Sequence, residues 1–308
     1  MRILVLGAGA IGGYFGARLV EAGADVTFLV RPRRAEALAK GGLRVVSPLG
    51  DVAIPVQTVT AGGVKRPFDL VLLACKAYDL DDALAAIAPA VGAESTVLPL
   101  LNGIAHIARL EERFAGASVL GGVAHVALAL RPDGVIHQIG DRCAIRFGPL
   151  GGGSDRWSPA LLEALKRARV DAVLSETIEQ DMWNKLVFIA ALAGMTCLMR
   201  ASIGAILDTA DGPALVEQLL SECIAVVTAE GFAPSQAGLA PYRAMLSARG
   251  SPITASMLRD IERGGPTEAD HVLGDLVKRA ASHDIAAPLL RVAYTHLQAH
   301  ERRRAAGS

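Results

Sequence analysis

Aromatic residues make up only 4% of this 308-residue chain, and neither sign of charge is in excess, with 31 Lys and Arg against 31 Asp and Glu. A net charge of zero provides no overall attraction to nucleic acid or to an anionic membrane, so neither is expected as a partner. Cysteine is nearly as scarce. Cys75, Cys143, Cys197 and Cys223 show neither CxxC nor Cys–His spacing. That excludes a disulfide framework or zinc site as the organising feature and suits a reducing, cytoplasmic setting. The histidines fall at no ligand spacing either, and no metal is expected. Long apolar runs are also missing: the longest, Leu186 to Met199, has 14 residues, short of the roughly 20 that span a bilayer. The apolar start Ile3 to Ala10 resembles the core of a signal peptide, but glycines at 7, 9 and 12 have no place in one. Neither a membrane span nor export is expected.

What the chain has in quantity is aliphatic: 52% of it is hydrophobic, enough to fill the cores of two ordinary domains. The first half alternates short apolar runs with amphipathic stretches. Candidate strands are Arg2–Leu6, Asp25–Val30, Leu43–Val46, Leu70–Ala74, Thr96–Pro99 and Ser118–Val126, and a helix is expected over Ile11–Ala22. Strand, helix and strand at this spacing form a βαβ unit, and its repetition predicts a mostly parallel, doubly wound α/β sheet. Val135–Ile139 and Cys143–Phe147 read as the end of that sheet. A glycine-rich loop follows near 148–159, and from Ile178 the periodicity is helical, broken at Gly–Pro pairs. The division predicted is a Rossmann domain over 1–174 and an all-helical domain over 175–308.

The first strand runs directly into Gly7-Ala8-Gly9-Ala10-Ile11-Gly12 and then a helix. In that context the three glycines permit, in turn, a tight turn, backbone approach to a pyrophosphate, and close packing of helix on strand. The anion rests on free N–H groups at the helix N-terminus, so Gly7, Gly9, Ala10, Ile11 and Gly12 are candidate cofactor ligands. The second strand ends in Arg31-Pro32-Arg33-Arg34 with no acid at its tip. An NAD site usually places an acid there for the ribose hydroxyl. A guanidinium fork suits a 2′-phosphate instead, which predicts NADP through Arg31 and leaves Arg33 and Arg34 unassigned.

The stretches GAGAIGGYFGARL, VRPRR, ACKAYD, PLLNGI, GVIHQIG, MWNKL and SMLRDIERGGPTEADHVLG together resemble the ketopantoate reductases (2-dehydropantoate 2-reductases) from Met1 to about Glu301. The resemblance implies substrate bound between a Rossmann and a helical domain. Arg31 matches the arginine for the 2′-phosphate, Lys76 a lysine near the nicotinamide, and Asn102 an asparagine holding cofactor and substrate. Lys185 matches the catalytic lysine, Ser256 a serine on the substrate carboxylate, and Glu268 the acid facing the substrate hydroxyl. Read alone, these residues admit plainer roles. Asn102-Gly103 is a common turn, Lys76 a strand-end lysine, Ser256 an exposed helix residue, and Glu268 a first-turn acid on a helix dipole. Lys185 heads an uncharged run and either snorkels to solvent or points into a cleft.

The pattern is also broken. Where the family carries asparagines four and eight residues after its lysine and three before its serine, this chain has Ile189, Ala193 and Ile253. The implied reaction is reduction of a small-molecule 2-oxo acid, ketopantoate by default, for pantothenate biosynthesis. A lysine with an ordinary pKa near 10.4 would be the acid. The alternatives are a reductase of another 2-oxo acid, or a non-catalytic NADP-binding regulator that kept the fold. A homodimer is allowed for, although no sequence feature indicates it.

Overall fold

The structure, a computed structural model, describes residues 1–307. It divides into two compact units, one of Met1–Leu101 and His106–Glu179, the other of Asn102–Ala105 and the chain from Gln180 on.

In the first unit the strands are β1 (Arg2–Leu6), β2 (Asp25–Leu29), β3 (Leu43–Val46), β4 (Val52–Ile54), β5 (Gln57–Val59), β6 (Leu70–Leu73), β7 (Thr96–Pro99), β8 (Ser118–Leu130), β9 (Ile136–Pro149) and β10 (Asp171–Leu174). They form one sheet in the order β4-β3-β9-β8-β7-β6-β1-β2-β5, with β10 paired to β9. From β5 to the start of β8 every pairing is parallel. The helices are α1 (Ala10–Glu21), α2 (Pro32–Gly41), α3 (Leu80–Ile87), α4 (His106–Arg113) and α5 (Ser158–Arg167). Strands β6 and β7 are buried along their whole length, as expected of parallel strands covered on both faces. The strand period of two then sorts their side chains. Leu70, Leu72 and Leu98 pack with Tyr14, Phe15 and Leu19 of α1, whereas Val71, Leu73 and Val97 pack with Leu80, Leu84 and Ile87 of α3 and Leu110 of α4. This is the doubly wound arrangement.

Two expectations need correction. The residues of 135–147 do not end the sheet. From Ile136 on they lie within β9, a single strand in the sheet's interior, parallel to β3 and antiparallel to β8. The break expected around Gly140 is absorbed by a register shift at Val126/Ala127 in β8, and a bulge of this kind leaves the pairing intact on either side. Strands β4, β5 and β10 were not anticipated. Each has three or four residues, too few to establish a period.

The second unit contains α6 (Ile178–Met199), α7 (Ile203–Leu207), α8 (Gly212–Ala229), α9 (Gln236–Leu246), α10 (Ser256–Glu262), a π-helical turn over Asp270–Gly274 that runs into α11 (Asp275–Ser282), and α12 (Pro288–Ala306). By length and composition alone, α6 and α8 could cross a membrane, but 78% of the apolar window of α6 is buried here. Gly194 explains how closely α6 is packed. A Cβ at that position would lie 2.6 Å from Leu219 of α8, with Ala293 of α12 and Leu273 of the π turn also within 4 Å.

Helix α12 is held at both ends by carboxylates. Buried Glu222 of α8 accepts the Leu289 and Leu290 N–H groups at 3.2 and 2.8 Å, and Gln218 Nε2 donates to it at 3.0 Å. An acid on the free N–H groups of a helix start is favourable in both hydrogen bonding and dipole. Near the other end, Glu301 accepts both the N–H and the hydroxyl of Thr267 at 2.7 Å. Replacing Glu222 with alanine leaves one buried and one part-buried N–H donor unmet and should destabilise the protein by about 2–4 kcal/mol, with Glu222→Gln in between. Urea denaturation measures this, and a loss below about 0.5 kcal/mol for Glu222→Ala would contradict the anchoring role.

Candidate functional site

The glycine fingerprint occupies the turn from β1 to α1. Gly7 has φ +89°, a conformation that glycine adopts without strain, and its N–H donates to Leu29 O at 2.9 Å. Gly12 faces the turn so closely that a Cβ would lie 2.3 Å from Gly7 O, so helix and strand meet only because no side chain intervenes. The first intrahelical bond runs from Gly13 N–H to Gly9 O at 2.9 Å, leaving the N–H groups of Ala10, Ile11 and Gly12 outside the helical ladder. Among the described residues, no side chain caps this end through Gly9 and no acid lies in the first turn. Beside Gly9 the space is open: a Cβ there would have no neighbour within 4 Å. Free donors, a helix dipole and an open cradle suit a dinucleotide pyrophosphate.

Arg31 is the residue just before α2, with Pro32 opening the helix. It is 80% exposed and donates to Asp79 Oδ1 at 3.2 Å. The acid-free tip expected from the sequence therefore has an acid after all, brought by the turn Ala77–Asp79 behind β6. Lys76 precedes that turn, and its carbonyl accepts the Asp79 N–H at 2.9 Å. A pair this exposed contributes little stability, so Arg31 remains available to an incoming anion. Nothing in the sequence marked Asp79, since the pairing joins residues 48 positions apart.

In the second unit, Lys185 lies on α6 and Glu268 two residues before the π turn. Trp183 fixes the rotation of α6, stacking on Phe232 with centroids 5.3 Å apart under the Arg279 guanidinium. Two residues on, at about 100° per residue, Lys185 faces away from that stack. Burial pulls its pKa from 10.5 down to about 8, and the Glu268 carboxylate pulls it back up by less. The ordinary lysine pKa expected from sequence is thus corrected, because the half-buried lysine has lost much of its hydration; at pH 7 about nine-tenths of it is still protonated.

Glu268 is buried. It precedes the helix rather than lying in its first turn, and its carbonyl accepts the Val272 N–H at 3.1 Å. The adjacent Thr267 is held by Glu301 of α12, and the Glu268 carboxylate acts on Lys185.

Asn102 belongs with the second unit. Its neighbour Gly103 packs so tightly on His271 that a Cβ would lie 2.7 Å from the imidazole, which sets the Asn102 turn beside the segment bearing Glu268. Ser256 is placed differently. It is exposed and opens α10, and the preceding Ala255 N–H donates to Thr196 Oγ1 at 3.3 Å. Thr196 is eleven residues after Lys185, on the same face of α6 and about 16 Å along the axis. Ile189, partly buried, and Ala193, buried, occupy the face between them. A protonated amine beside a carboxylate, next to an apolar strip, could bind a small acid and move a proton. If Glu268 is what holds the lysine pKa up, Glu268→Gln should lower it below about 8. The pH dependence of Lys185 reaction with an amine reagent measures this, and an unchanged or higher pKa would refute the coupling.

The family model described as ketopantoate reductase PanE/ApbA matches residues 3–152, and that for the PanE/ApbA C terminal matches residues 177–301. An uncharacterized oxidoreductase YkpB from Bacillus subtilis (strain 168) is 39% identical over 98% of this chain and 99% of its own. A 2-dehydropantoate 2-reductase from Halobacterium salinarum is 29% identical over 94% of this chain and 96% of its own. The crystal structure of a PanE/ApbA family ketopantoate reductase from Ralstonia eutropha JMP134 superposes with a TM-score of 0.89 at 25% identity, covering 99% of both chains. The chain belongs to the ketopantoate reductase family, oxidoreductases that bind NAD(P)H on a Rossmann domain.

Proposed function

We propose that the protein reduces a 2-oxo acid to a 2-hydroxy acid using NADPH, with Lys185 as proton donor. The observation that carries this reading is the desolvated Lys185 ammonium opposite buried Glu268, at the head of an otherwise apolar helix face. The nicotinamide supplies the hydride when bound. Lys185 Nζ gives its proton to the ketone oxygen as alkoxide charge develops, and a pKa of about 8 suits an acid working near neutral pH. Glu268 keeps the lysine charged and grips a substrate hydroxyl. Ser256 takes the substrate carboxylate, and Asn102 orients cofactor and substrate. Gly7, Gly9, Ala10, Ile11 and Gly12 hold the pyrophosphate, Arg31 the 2′-phosphate, and Lys76 the region near the nicotinamide.

Ketopantoate is the default substrate, which would place the protein in pantothenate biosynthesis; its four free thiols suit a reducing cytoplasm. Ile189, Ala193 and Ile253 argue for a variation. A site with hydrogen-bonding groups rejects substrates that leave those groups unpaired, and an apolar site has lost that discrimination. A 2-oxo acid with a bulkier apolar side chain should therefore turn over better than ketopantoate. The test is oxidation of NADPH and NADH against a panel of 2-oxo acids, for the native protein and Arg31→Ala. NADPH should be preferred, and Arg31→Ala should weaken NADPH by about tenfold or more with NADH nearly unchanged. Consumption of no 2-oxo acid would overturn the reaction, and equal losses for both cofactors would overturn the role of Arg31.

A further inference from the structure

The basic segment after β2 contains one arginine that does not face solvent. Arg33 is exposed, whereas Arg34 is partly buried and turns back beneath the glycine turn. Its Nη2 donates to Ala8 O at 3.0 Å and to Gly134 O, in the turn between β8 and β9, at 3.3 Å. Its Nε is buried with no hydrogen-bond partner, and among the described residues no carboxylate pairs with it. Burial lowers its pKa, but a guanidinium keeps its charge. An uncompensated cation is thus held against the one carbonyl between the first two fingerprint glycines.

We infer that Arg34 is a positioning residue for the cofactor's diphosphate: by holding the Ala8 carbonyl it orients and polarises the Ala8–Gly9 peptide, and it does not read the 2′-phosphate. Among the described residues no peptide bond is cis, and in a trans peptide the C=O and N–H point in opposite directions. With the carbonyl fixed on Arg34, the Gly9 N–H points away from it, at the start of α1 where the space beside Gly9 is open. A charge-assisted bond to the carbonyl strengthens the N–H of the same peptide as a donor. The cation also adds to the positive end of the α1 dipole. The inference rests on NAD(P)H binding and is independent of the preference for NADPH, because NADH carries the same diphosphate.

Equilibrium binding separates this role from others. The ligands are NADPH, NADH, ADP-ribose, which lacks the nicotinamide, and adenosine 2′-monophosphate, which lacks the diphosphate. Arg34→Met should raise Kd for the first three by a common factor of about ten and leave the fourth within about twofold. The NADPH-to-NADH ratio should not move, in contrast to Arg31→Ala. Arg34→Lys, which keeps a charged donor, should restore binding to within about threefold of native. If Arg34→Met does not fold, Arg34→Gln takes its place with the same expectation. Unchanged diphosphate affinity in a folded variant, a loss confined to NADPH and adenosine 2′-monophosphate, or a lysine variant as weak as the methionine one would each overturn the inference.

Discussion

Burying an ammonium is expensive unless an opposite charge faces it, and at Lys185 the two effects oppose each other. Loss of hydration is the larger and brings the pKa to about 8, while the Glu268 carboxylate acts in the other direction. Desolvation alone moves buried lysines by as much as several units, and the Glu268 carboxylate works to keep the proton in place. The position of Glu268 is set at a distance. Glu222 anchors the start of α12, Glu301 near the far end of α12 holds Thr267, and Thr267 fixes the residue after it. Three carboxylates on separate segments are thus linked to the surroundings of one ammonium.

The first unit meets the opposite requirement. There the backbone must offer donors to an anion, so side chains are withheld: Gly12 lies against Gly7 O with no room for a Cβ, and no acid occupies the first turn of α1. The positive charges are supplied from the start of α2. Arg31 lies on the surface, paired to Asp79, and Arg34 lies underneath, bonded to Ala8. The two arginines are close neighbours in the chain, yet one faces water and the other the turn.

Legibility in the sequence followed the physics of each feature. The glycine turn, strands β1, β3 and β7 and the start of α6 are local patterns, and they lie where the periodicity predicts them. The Rossmann fold with a helical second half follows from the same local periodicities. Lys185 stood out as the charge heading an uncharged run, but its lowered pKa did not, since burial belongs to the whole packed unit. The bonds Arg31–Asp79, Arg34–Ala8 and Thr267–Glu301 join residues 26 to 48 positions apart, beyond the reach of periodicity. Glu268 was ambiguous for a different reason. A helix-start acid and an acid facing a buried lysine look identical in sequence, and only the packed unit brings the Glu268 carboxylate to Lys185.

The central claim is that Lys185 carries the transferred proton, and the pH profile of single-turnover reduction tests it most directly. Reduction consumes the protonated form, so in the native protein the rate should be level at lower pH and fall as pH rises through about 8. Lys185→Ala should lose about a hundredfold or more in rate with cofactor affinity nearly unchanged, and its profile should lack that fall. A native rate that stays level from about pH 7 to about 10, or an alanine variant within a few fold of native, would contradict the account.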